Sequence, residues 1–143
     1  MKKQMFSGGL FGLVLWGLSA CSSGPPALGE PVWTVQDLRG SQWIDAGPTV
    51  GRAPVSLDIA KDASLSGHSG CNRYLGKLES SGNALRLIQG GSTRMMCTEQ
   101  EAMDTEKRFG RALAQTRSAQ KERGHLLLLD EAGQVLWRFR PRD

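Results

Sequence analysis

The chain has 143 residues, with 18 Lys and Arg against 14 Asp and Glu and a formal net charge of +4. At 39% hydrophobic and 22% charged, the composition is that of a globular protein and excludes a disordered chain. The length suits one domain and is short for two. Lys2 and Lys3 lie in a segment expected to be removed. The remaining 16 cations against 14 acids are too small an excess to imply a nucleic-acid partner, despite an isoelectric point near 9.3.

Residues 1–20 read as a signal peptide. Lys2-Lys3 gives a positive start, Met5-Phe6, Leu10-Phe11 and Leu13-Val14-Leu15-Trp16 an apolar middle, and Leu18-Ser19-Ala20 a small-residue approach to Cys21. A membrane-spanning helix needs roughly 20 apolar residues. This run is shorter, and Gly8, Gly9, Gly12 and Gly17 each weaken a helix. Leu18-Ser19-Ala20-Cys21 resembles a bacterial lipobox, which implies lipid on Cys21 and cleavage just before it. Each buried CH₂ contributes about 0.8 kcal/mol, so several acyl chains anchor firmly where one is marginal. Ser22, in place of the aspartate associated with inner-membrane retention, implies an outer-membrane destination facing the periplasm. Residues 21–31 then form a lipidated cysteine and tether, loosened by Ser22, Ser23 and Gly24 and stiffened by Pro25, Pro26 and Pro31.

Residues 32–143 form the predicted domain. Val32-Trp33-Thr34-Val35 is β-prone, and Gln42-Trp43-Ile44 is a second short strand after the Arg39-Gly40-Ser41 turn. From Pro54 to Ala60, Val55, Leu57 and Ile59 alternate with Ser56 and Asp58, as a half-buried strand requires. Lys61-Asp62 turns the chain into Ala63–Ser69. The runs Tyr74–Glu79 and Ala84–Gln89 flank Ser80-Ser81-Gly82-Asn83, a hairpin signal. One helix is expected from about Thr98 to Gln115. Thr98 and Glu101 have the capping-box spacing, and Ala102, Phe109 and Leu113, with Met103 and Ala112 beside them, make an apolar stripe. Leu126–Leu129 and Val135–Arg140 follow as strands joined at Asp130–Gly133, with Val135, Trp137 and Phe139 on one face. The order predicts an α+β fold, a curled, mostly antiparallel, open barrel-like sheet packed on a single helix, with Trp43, Leu57, Phe109, Trp137 and Phe139 in the core.

The stretch Gly67-His68-Ser69-Gly70-Cys71-Asn72-Arg73-Tyr74, then Ser92-Thr93-Arg94-Met95-Met96-Cys97, then Glu106, Phe109 and Leu113 resembles the META/HslJ family of bacterial lipoproteins over about Trp33 to Arg140. The carriers are Gly70, Cys71, Asn72, Tyr74, Thr93, Met95, Cys97, Glu106 and Phe109. The resemblance implies a cracked β-barrel on a helix, similar to type III secretion pilotins, in an envelope protein linked to heat shock and antibiotic tolerance. It implies no enzymatic activity.

With Cys21 lipidated, Cys71 and Cys97 are the remaining pair, which an oxidising compartment would join; two buried free thiols are the alternative. No cofactor or metal is expected: His68, Cys71, Cys97 and His125 lack the close ligand pairs of structural zinc sites. Ser64, Ser66 and Ser69 near His68, with Asp58 and Asp62 upstream, allow a hydrolase as an alternative, but no Gly-x-Ser-x-Gly elbow is present. Arg73 and Arg94 are either ligand contacts or ordinary surface cations. The basic C-terminal third, including Arg117, Lys121, Arg138 and Arg142, is either a surface for lipid phosphates or a charged guard on edge strands. The reading is a non-catalytic, membrane-anchored module in a binding or assembly role, its partner an envelope protein or a small apolar ligand. A structural part of an envelope complex is the remaining alternative.

Overall fold

The computed structural model describes residues 32–81 and 84–143. The expected signal peptide 1–20, the lipidation site Cys21, the tether 21–31 and the Gly82-Asn83 hairpin tip lie outside the described residues. The elements are β1 (Val32–Trp33), α1 (Val35–Leu38), β2 (Ser41–Asp45), β3 (Ser56–Ile59), β4 (Ser64–His68), β5 (Arg73–Ser81), β6 (Ala84–Ser92), α2 (Gln100–Gln115), β7 (Ser118–Glu122), β8 (His125–Leu129) and β9 (Val135–Pro141).

The strands form one sheet in the order β1-β7-β8-β9-β2-β3-β4-β5-β6, every neighbouring pair antiparallel. It curls until Leu85 N–H on β6 donates to Arg117 C=O, at the start of β7, at 2.7 Å. Among the described residues no strand ladder links β6 to β7, so the barrel stays open, and α2 packs along β6. Covering a sheet edge with a helix blocks pairing with another chain. The predicted α+β class, with a curled sheet on one main helix, is the observed one.

Helix α2 forms because its apolar positions recur at helical spacing: Ala102, Thr105, Phe109, Ala112 and Leu113 are buried on one face. It ends where Thr116 N–H and Oγ1 both turn back on Ala112 C=O and Arg117 Nη1 donates to Ala114 C=O, filling carbonyls that the last turn leaves open. The start differs from expectation. Ala102 and Met103 N–H both reach Glu99 C=O, so Glu99 is the N-cap, with no side-chain cap bond, and Thr98 lies outside the helix. The capping box belongs instead to α1: Thr34 N–H donates to Asp37 Oδ2 at 2.8 Å and Asp37 N–H points back at Thr34 Oγ1. The expected strand over Val32–Val35 is therefore cut to two residues, and the turn of helix after it buries Leu38.

The inner face of the sheet carries Trp43, Leu57, Leu65, Tyr74, Leu126 and Phe139, all buried around Phe109. Phe109 meets Trp137 at 5.1 Å, Tyr74 at 5.5 Å and Phe139 at 6.1 Å between ring centroids, in the tilted and edge-on arrangements that aromatic quadrupoles favour. Trp137 is half-buried against this cluster. Val135, expected on the core face, is exposed, because the register shifts between Leu128 and Leu129 and breaks the alternation along β9. Ser56, expected to face outward, is buried and accepts the His68 N–H on its hydroxyl.

Candidate functional site: a motif clasp and an outer-face cleft

The two cysteine-bearing motifs meet at the β4–β5 turn, which sits against α2 and the segment after β6. Cys71 and Cys97 are bonded, with Cα atoms 5.8 Å apart, tying the turn to the approach of α2. Gly70 has φ +105°, and a Cβ there would stand 3.1 Å from Ala102 C=O and 3.2 Å from the Thr105 methyl. Both the conformation and the close approach call for glycine. Buried Asn72 is at the centre. Its Nδ2 donates to Met95 C=O at 3.2 Å and to Glu106 Oε2 at 2.9 Å, and its Oδ1 accepts from Thr93 Oγ1 at 2.8 Å and Met95 N–H at 2.7 Å. A side-chain amide offers two donor hydrogens and two acceptor lone pairs, so nothing of the Asn72 side chain is left for a ligand. Tyr74 O–H donates to Ser56 C=O at 2.8 Å. Burial, and secondarily the charge of Asp58, pushes its hydroxyl far above the usual range, so it remains a neutral donor. Asn72, Thr93 and Glu106 spend polar side-chain atoms on one another, and Tyr74 and Phe109 put their rings in the core, whereas the Met95 side chain is exposed.

A cleft of about 660 Å³ lies beside this clasp, across the outer face of β3–β6. Register explains its floor. Asp58, Ser66, Leu75 and Gly91 are successive cross-strand neighbours, and His68 pairs with Arg73 in the next row. Period-2 alternation turns these side chains away from Leu57 and Leu65, which fill the core. Ala53, Pro54 and Arg142 line the β3 flank, and Gly91, Ser92 and Thr93 the β6 flank. Gly67 lets β3 press close, since a Cβ there would collide with Ser56 C=O.

The charges of the cleft are unevenly partnered. Arg142 Nη1 is 3.0 Å from Asp58 Oδ1, and the two neutralise each other. Arg73 has no carboxylate within ion-pair distance among the described residues. His68 Nδ1 accepts the Gly70 N–H at 3.3 Å. Partial burial, then the charge of Arg73, holds its pKa below the ordinary imidazole value, with Glu106 opposing. A neutral ring whose Nδ1 accepts carries its proton on Nε2 and presents a donor there.

Comparison with known proteins gives the setting. META domains match residues 26–143. The chain belongs to the META domain family. No curated protein matches it. Among solved structures, an NMR structure of a protein from Burkholderia xenovorans is similar at 21% identity and a TM-score of 0.62, over 84% of this chain and 96% of that one. A second NMR structure is similar at 20% identity and a TM-score of 0.56, over 76% and 95%. At these identities the likeness concerns the fold, and neither the family description nor these structure titles name a reaction.

Within this META domain the residues weighed for other chemistry are placed elsewhere. The Cys71 and Cys97 sulfurs are bonded to each other and unavailable to a metal. No Ser-His-Asp arrangement is assembled among the described residues. The serine bonded to His68 is Ser56, which takes its backbone N–H at 3.0 Å; the imidazole is bonded to Gly70, and Asp58 is held by Arg142. The Ser69 hydroxyl donates to Asn72 C=O inside the turn. Several cations of the C-terminal third are engaged within the fold: Arg138 with Glu122 at 2.9 Å, Lys121 over the Trp33 ring, and Arg117 on helix carbonyls. The cleft itself is drawn from five separate stretches of chain. The signal for it in the sequence is Arg73-x-Leu75, a cation and an exposed leucine on the outward face of β5.

Proposed function

We propose that the chain is an envelope lipoprotein anchored through Cys21, on the periplasmic side of the outer membrane, whose META domain works by binding at the outer-face cleft and carries out no turnover. The observation that carries this is a division of labour. The motif residues are bonded to one another, whereas the cleft beside them offers an Arg73 without a counter-ion among the described residues and a His68 held as a neutral donor. A catalytic site needs a nucleophile and base within hydrogen-bond reach of each other, and among the described residues no serine hydroxyl is hydrogen-bonded to the His68 ring.

The length of the tether suits the anchored reading. Val32 pairs with Gln120 and Trp33 with Ala119, so the chain enters from the side of the β7–β8 turn. A tether over residues 21–31, extended at roughly 3.3–3.6 Å per residue, spans up to about 40 Å. It would let the domain stand off the bilayer. A role in envelope stress or antibiotic tolerance follows from the family resemblance.

Complementation of a deletion strain tests the reading. Cys21→Ala is expected to lose fatty-acid labelling and leave the membrane fraction. A lipidated, folded His68→Gln/Arg73→Gln variant is expected to lose tolerance, whereas Lys77→Gln, on the same face outside the cleft, retains it. Full rescue by the cleft variant contradicts binding there. Turnover of a peptide, ester or glycan by the purified protein replaces binding with the hydrolase alternative.

A further inference from the structure

We infer that the cleft takes an acidic small molecule, whose carboxylate or phosphate sits between Arg73 and His68 and whose apolar body lies over Leu75. This rests on reading the cleft as a binding site. Arg73 and His68 are register partners on adjacent antiparallel strands and share the outer face, which brings their Cβ atoms to about 5 Å. The guanidinium is donor-only. The imidazole, with Nδ1 occupied by the Gly70 N–H, presents a donor at Nε2. Two adjacent donors, one of them cationic, are complemented by an acceptor carrying negative charge, and a planar or tetrahedral oxyanion matches the fork of an arginine.

The acids nearby do not fill that role. Asp58 stands on β3, with β4 between it and β5, and is paired with Arg142. Glu106 lies behind the turn, where it accepts from Asn72 Nδ2. The Asp58–Arg142 pair cancels, so Arg73 leaves the cleft with a net positive charge. The apolar part of the ligand is placed by Leu75, two residues beyond Arg73 on the same face and 66% exposed. Its register neighbour is Gly91, above which a Cβ would meet nothing within 4 Å. That bare strand beside an exposed leucine is a shelf for an apolar group. A volume of about 660 Å³ falls within the range of small-molecule sites, roughly 300–1,000 Å³.

The test titrates the mature chain, purified in detergent, with benzoate, phenyl phosphate and the neutral benzamide, followed by NMR. Benzoate or phenyl phosphate is expected to shift His68, Arg73 and Leu75 signals saturably, with benzamide about ten-fold weaker or more. Arg73→Gln is expected to remove that preference, and Lys77→Gln to preserve it. The tighter of the two anions identifies the headgroup as carboxylate or phosphate. Benzamide binding as well as benzoate overturns the acidic ligand and leaves the cleft a binding site. If no probe shifts the cleft, the acidic ligand is overturned; if in addition the His68→Gln/Arg73→Gln variant still rescues the deletion, the binding site falls with it.

Discussion

Replacing Asn72 probes the clasp most sharply, because its four hydrogen bonds join three separate pieces of chain: the β4–β5 turn, the Thr93–Met95 segment and α2. Each bond contributes about 0.5–1.5 kcal/mol net, and a buried group left without a partner costs about 1–3 kcal/mol. Thr93 and Met95 are exposed, so water recovers part of the loss. Asn72→Ala is therefore expected to destabilise the domain by about 2–4 kcal/mol, on the order of 10 °C in Tm. Asn72→Asp keeps the shape but replaces the two donor hydrogens with an acceptor, and it sets a carboxylate beside Glu106 Oε2. The introduced carboxyl is disfavoured as an anion in the fold, so its pKa is raised there above the unfolded value of roughly 3.9. The unfolded chain then releases its proton first, and the penalty grows as pH rises from about 4 through the raised value. Chemical denaturation followed by circular dichroism between acid and neutral pH, with the disulfide intact, reads both effects. A loss below about 1 kcal/mol for Asn72→Ala, or an Asn72→Asp loss independent of pH, would refute the bonding pattern.

Three further outcomes follow from the core and the disulfide. Phe109→Ala is expected to cost roughly 3–5 kcal/mol and Phe109→Leu about 1.5 kcal/mol or less; equal small losses in denaturant melts would place α2 with another face inward. Tyr74 is the chain's one tyrosine, so tyrosinate absorbance reports it alone. Its raised pKa means that the unfolded chain ionises first, so stability falls as pH rises above about 10, and Tyr74→Phe should remove that slope at a cost of about 1 kcal/mol near neutrality. Reversible ionisation near 10 in a still-folded protein would contradict this. Reducing Cys71–Cys97, which span 26 residues, is expected to cost about 3–4 kcal/mol in the chain-entropy model; two reactive thiols in unreduced, denatured protein would rule the bond out.

Much of the fold is legible in the sequence, because the spacing of Leu57 and Ile59 in β3, of Trp137 and Phe139 in β9, and the helical stripe Ala102–Leu113 each mark a face turned to the core. The failures have local causes. Thr34 and Val35 are β-branched, and that preference conceals a capping box completed by Asp37 in place of glutamate. Thr98 matches the same box in sequence, yet the first turn closes on Glu99 C=O. Strand β7, Ser118–Glu122, is too polar to announce itself, and it is a strand because β1 and β8 flank it. Gly70, Asn72, Met95 and Glu106 lie together in the fold, a proximity that the separate motifs do not state. Nor do the motifs point to the cleft, because Asp58, His68, Arg73, Gly91 and Arg142 become neighbours through the sheet order, which a single sequence does not contain.

The central claim is that this META domain binds through the outer face of β3–β6 while its motif holds the fold. The most direct measurement is an amide NMR map of the domain, free and with a small-molecule extract of the cells it comes from. Shifts concentrated at Ser66, His68, Arg73, Leu75 and Gly91, abolished by Arg73→Gln, are the predicted result. Shifts confined to β7–β9 or to the Trp137 indole, with the cleft unmoved, would contradict it.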